Sequence, residues 1–135
     1  METKALIVGI VRHGNAVLMR KKPAGSPPYT ETWYIFGAAL KPGINPDEAI
    51  KEQVRDQTGV EILVSERFSW DTEVKHDLDG IEKQFVYLDV LCDYVSGDLS
   101  LSEGIEKLEF VDTTKLDEYD VVPPSVEVFK KLGWL

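Results

Sequence analysis

From Gly37 to Val60 the chain reads GAALKPGINPDEAIKEQVRDQTGV, and this stretch contains one helix with both ends written in. Asn45 can cap the start, because its side-chain oxygen can accept an orphan N–H of the first turn. Pro46 sits where its fixed φ suits a helix and its missing N–H costs nothing, and Glu48 follows the cap at capping-box spacing. Ile50 and Val54 lie one turn apart with Ala49 beside them, and Gly59 offers the left-handed residue that ends a helix. The spacing predicts a helix over Pro46–Thr58. A single apolar stripe needs a partner surface, so the rest of the chain has to supply one.

The flanking segments read as strands. Ala5–Val11 is a short β-branched run, and Ala16–Arg20 is its hairpin partner across His13-Gly14-Asn15, a turn whose histidine is expected to be solvated. Trp33–Phe36 is a short aromatic strand leading into a Gly37-Ala38-Ala39 loop. After the helix a strand starts at Glu61 and runs as far as Lys75. A turn follows at His76–Gly80, carrying an Asp-Gly signal, and then Lys83–Val95. In that last segment Phe85, Tyr87, Asp89, Leu91, Asp93 and Val95 share one face, while Val86, Leu88, Val90, Cys92 and Tyr94 share the other. The two segments form a long hairpin, with Cys92 an inert core residue. Leu99–Ile105 is an irregular link, Lys107–Val111 a last strand, and Thr113–Tyr119 a short helix or turn. Ser125–Leu132 is a C-terminal helix stopped by Gly133. This order predicts one α/β domain over residues 1–135, a mixed sheet with helices on both faces.

Charge narrows the function. At −9 the chain is unsuited to non-specific nucleic-acid or anionic-membrane binding, since both polyanions would repel it. One cysteine cannot make an intrachain disulfide, the first residues lack a basic lead with a long apolar run, and no segment reaches the ~20 apolar residues of a membrane span. A cytoplasmic protein is the expectation.

Within this acidic chain Arg20, Lys21 and Lys22 form the densest basic spot, next to a Pro/Gly/Ser-rich loop over Lys22–Thr32. A loop of that length in a compact domain is often a binding loop. Arg20 and Lys22 are candidate phosphate contacts, a solvated strand end being the alternative. Trp33 is a candidate for base stacking or for packing the helix. On the helix, Gln53, Asp56 and Gln57 lie one turn apart. Glu48, Glu52 and Asp56 make a carboxylate row with Lys51 and Arg55 interleaved, the pattern of a solvated face or of a relocated acid site.

The Gly37–Val60 stretch resembles the Nudix box, the loop–helix–loop of the Nudix hydrolases. That pattern is Gly, five residues, Glu, seven residues, then Arg-Glu, an apolar residue, any residue, Glu-Glu, any residue, Gly and an apolar residue. The chain matches it at Val54, Gly59 and Val60 and departs where the chemistry lies: Ala38 for the first Gly, Ile44 for the isolated Glu, Glu52-Gln53 for Arg-Glu, Asp56-Gln57 for Glu-Glu. The resemblance implies a Nudix-type α/β/α sandwich. It also implies that residues at the positions of Gln53, Asp56 and Gln57 hold Mg²⁺ or Mn²⁺ on a substrate's pyrophosphate. With two of three acids replaced by amides, metal affinity and any general base at those positions are expected to suffer. The first expectation is therefore a protein that binds a nucleoside-diphosphate-linked or related pyrophosphate ligand, with Arg20, Lys22, Trp33, Gln53 and Gln57 in contact and hydrolysis impaired. The second is an active Mg- or Mn-dependent pyrophosphohydrolase on a shifted set, Glu52, Asp56 and Glu103, with Glu52 and Asp56 on the metal and Glu106 as substitute for Glu103. The third is a non-catalytic interaction module. A homodimer through the aromatic strands is compatible with each.

Overall fold

The computed structural model describes all residues from Met1 to Leu135. Its strands are β1 (Thr3–His13), β2 (Ala16–Lys21), β3 (Trp33–Tyr34), β4 (Phe36–Ala39), β5 (Glu61–His76), β6 (Glu82–Ser96) and β7 (Lys107–Asp112). The helices are α1 (Pro46–Thr58) and α2 (Pro123–Lys131), with a short 3₁₀ turn over Leu116–Glu118. All seven strands belong to one mixed sheet. Its main path runs β3-β2-β1-β6-β5, with β4 on β1 and β7 on β2. Only β1 and β6 run parallel, paired from Thr3↔Gln84 to Arg12↔Asp93.

The helix α1 has the bounds its caps specify. Asn45 Oδ1 accepts from the Asp47 N–H at 2.8 Å, and Gly59 closes the other end at φ 80° with its N–H on the Arg55 carbonyl. Glu48, at the capping-box position, pairs with Lys51 at 3.7 Å. Ile50 and Val54 are fully buried and pack on Ile7, Val11, Leu18, Phe36, Val90 and Cys92. Cys92 is the buried thiol the sequence suggests, with its pKa pushed up to about 12 chiefly by burial. The opposite face carries α2, whose Val128 and Phe129 pack on Ile10, Val17, Met19 and Leu91. Alternate residues of β1, β2 and β6 thus serve two cores, and the α/β/α layering expected from the element order is the observed one.

Two expectations change. Gly37–Ala39 is not a free loop: it forms β4, antiparallel to β1 through Gly9↔Phe36, Val8↔Gly37, Ile7↔Ala38 and Leu6↔Ala39. Small residues there, with Gly9 opposite, leave room for α1; a Cβ on Gly9 would lie 2.8 Å from Ile50 Cγ1. Trp33 is buried on the α2 side, edge-to-face with Tyr119 at 5.1 Å, so it packs the second helix and not the first. No helix is long and apolar enough to cross a membrane.

Candidate functional site

The basic spot and the box helix meet. Strand alternation turns Arg20 toward α1, where Nη1 donates to Gln57 Oε1 at 2.7 Å and Nε donates to the Ile35 carbonyl at 3.3 Å. The guanidinium lies 4.1 Å from the Tyr34 ring centroid, its cross-strand partner, and 5.1 Å from that of Phe36. Burial lowers the Arg20 pKa to about 10, so it remains a cation at neutral pH. Lys22 Nζ sits 4.7 Å over the same Tyr34 ring. Its pKa is lowered by burial first and then by the nearby charges of Arg20 and Lys75. Neither Arg20 nor Lys22 has an ion-pair partner.

These three cations line a cavity of about 300 Å³ whose walls come from Leu6 and Val8 of β1, Tyr34, Phe85 and Tyr87, the Pro27–Tyr29 part of the long loop, and Val128 of α2. Lys75 enters from β5 and is ringed by Tyr29, Phe85 and Tyr87, with centroids at 4.6, 4.7 and 5.6 Å. Its ammonium donates to the Tyr29 and Tyr87 hydroxyls at 2.7 and 3.0 Å, and both hydroxyls donate to Glu73 Oε1. Burial and then that bond to Glu73 raise both tyrosine pKa values well above the usual range. The loop is thereby tied to the sheet through Tyr29.

An acid pair completes the cavity wall. Asp89 is buried on the apolar face of β6, and Ser69 Oγ donates to its Oδ2 at 2.9 Å. Lys131 of α2 donates to Asp71 Oδ1 at 2.6 Å. Asp89 Oδ1 and Asp71 Oδ2 are buried and have no hydrogen-bond partner as long as both carboxyls are ionised. Burial, and then the neighbouring Asp71, push the Asp89 carboxyl up to about 7; Asp71 is held low because hydrogen bonds from Asp89 and Lys131 outweigh its own burial. One proton shared between the two carboxyls accounts for both directions.

The candidate residues from the sequence divide. Arg20 and Lys22 line the cavity, and Gln57 joins them only through its hydrogen bond to Arg20. Gln53 is half-buried on α1, while Trp33 lies in the core and not on the cavity wall, which its neighbour Tyr34 lines. Glu52, Asp56 and Glu103 are all exposed, and Glu106 pairs with Lys21 at 3.2 Å. No three His, Cys, Asp or Glu side chains lie close enough together to hold a metal ion, so the shifted acid set is not assembled. A divalent ion also does not suit the Gln57 end of α1, where the amide oxygen faces a guanidinium. Sequence reading missed Tyr29, Tyr34, Asp71, Lys75, Tyr87 and Asp89. One signal was available: an acid, Asp89, in the otherwise apolar file of Phe85, Tyr87 and Leu91.

No family model matches the chain. The nucleoside triphosphatase NudI of Enterobacter sp. (strain 638) is 22% identical over 141 aligned positions spanning all of both chains. Among solved structures, a Nudix hydrolase of Nitrosomonas europaea superposes with a TM-score of 0.78 at 14% identity, covering 98% of this chain and 89% of that one. A UDP-X diphosphatase superposes with a TM-score of 0.69 at 15% identity, over 98% of this chain and 64% of that one.

Proposed function

We propose that this chain, which has the Nudix fold, binds a nucleoside-diphosphate-linked or related pyrophosphate small molecule and hydrolyses it poorly. The observation that carries this reading is the pairing of an aromatic cavity with three cations, Arg20, Lys22 and Lys75, of which the first two lack an acid partner, in a chain of net charge −9. A chain that acidic gathers cations at one opening against its own overall field, and fixed cations beside aromatic rings suit a ligand with phosphates at one end and a flat ring at the other. The proteins it resembles are named for nucleoside triphosphates and for UDP-linked diphosphates, both of which have that shape.

Impaired hydrolysis follows from the donor set. Gln53 and Gln57 bring no charge and take no proton from water, and losing a general base alone lowers a rate by ~10²–10⁴. The role of the chain's own residues is then to bind and orient: Arg20 and Lys22, both held over the Tyr34 ring, on the anion, and Tyr29 holding the loop over the cavity.

A thermal-shift panel of nucleoside diphosphates, nucleoside triphosphates and sugar nucleotides, run beside a phosphate-release assay with Mg²⁺ or Mn²⁺, tests both halves. A ligand at about a hundred times its Kd adds about 2.7 kcal/mol, which moves the midpoint up by several degrees. The expected result is such a shift with phosphate release near background. Brisk metal-dependent release removes the second half of the reading, and a flat panel removes the first.

A further inference from the structure

We propose that the Arg20 guanidinium stands in for a divalent ion at the Gln57 end of α1, so that this pocket takes a pyrophosphate-type anion without metal. The inference rests on the reading above and names how that anion is held. The resemblance gives the Gln57 position to a metal-binding carboxylate. Here the side-chain oxygen at that position already accepts from a cation built into the fold, Arg20 Nη1 at 2.7 Å. The cation is fixed: its Nε is tied to the Ile35 carbonyl, and its plane is flanked by the Tyr34 and Phe36 rings. Its remaining N–H groups have no partner in the protein, which leaves a planar fork free for phosphate oxygens.

This arrangement also accounts for an amide, rather than an acid, at position 57. A carboxylate there would pair with Arg20, cancel the positive charge facing the cavity and occupy the fork. The neutral amide orients the guanidinium through one hydrogen bond and leaves its charge for the ligand. Gln57 is thus a positioning residue, and Arg20 is the group that touches the anion. Lys22, 4.7 Å from the centroid of the same Tyr34 ring, adds a second cation to the same opening.

Calorimetric titration of the full chain with inorganic pyrophosphate and with ADP, each in excess EDTA and in excess Mg²⁺, tests the inference. The expected result is binding in EDTA at least as tight as in Mg²⁺, because Mg²⁺ on the free anion competes with the Arg20 fork for the same oxygens. Arg20→Gln should weaken binding ~10-fold or more in both, and Arg20→Lys less. Gln57→Leu removes the hydrogen bond without adding charge, whereas Gln57→Glu adds the charge. Gln57→Glu should therefore bind more weakly than Gln57→Leu, and Mg²⁺ should not restore it. A merely structural role for Gln57 would not give that order. Binding by the unmodified protein only in Mg²⁺, or Mg²⁺-dependent tightening in Gln57→Glu, overturns the inference and leaves the binding function standing. No binding of either anion in either buffer overturns both.

Discussion

Asp89 is an acid in an apolar strand face, and its chemistry follows from that position. Asp71 faces it from β5, Lys131 reaches Asp71 from α2, and Tyr87 and Ser69 flank it. Folding lifts the Asp89 carboxyl from its ordinary 3.8 to about 7, so between those values the folded chain holds a proton that the unfolded chain has released. The stability tied to this proton is full below about pH 4 and fades as the pH climbs through 7. Asp89→Asn removes the titration, and its amide can donate to Asp71 in place of the shared proton. The variant should be more stable than the parent by about 1–2 kcal/mol at pH 8, a gain that shrinks toward zero by pH 4. Melting curves across that range check it; an unchanging difference would mean that the two carboxyls do not share a proton.

The elements differ in how far their residues announced them. Asn45, Pro46 and Gly59 act through hydrogen bonds and backbone angles within a few residues, so both ends of α1 could be read directly. β4 could not, because Gly37–Ala39 becomes a strand only when β1 lies alongside it. The site shows the same division. Arg20, Lys22 and Gln57 stood out as a basic spot and a missing charge. Lys75 and the acid pair depended on the β5–β6 register, which slips between Val64 and Glu66 and again between Arg67 and Ser69. The two slips cancel in phase, so Ser69, Asp71, Glu73 and Lys75 stay on the face of Asp89, Tyr87 and Phe85 that alternation gives them, but they move the ladder by two residues and bring Ser69 opposite Asp89 instead of Tyr87. The closeness of α1 to β1 is testable. Gly9→Ala should cost about 1–3 kcal/mol in urea unfolding because its methyl meets Ile50. Combined with Ile50→Ala, it should cost less than the two single changes added, a sign of direct coupling. Strict additivity would show that the helix simply moves away.

Across the whole molecule, one sheet feeds two cores. Ile7 and Val11 belong to the α1 side and Ile10 to the α2 side of a single strand, and β6 divides Val90 and Cys92 from Leu91 in the same way. Neither side can be lost without the strands the other needs, so unfolding should be one transition. Cys92 thiol reactivity reports the α1 side, and tryptophan fluorescence from Trp33 and Trp134 reports the α2 side. Their midpoints in urea should coincide, and two separated midpoints would refute the coupling. The parallel pairing of β1 with β6 has a further outcome during synthesis. Thr3 must wait for Gln84, 81 residues later, before its side of the ladder can close. At ribosomal speed that delay is on the order of ten seconds. For that time Leu6–Val11 emerges as an unsheltered greasy ribbon, a natural client for chaperones, and the pocket cannot exist until most of the chain has left the tunnel.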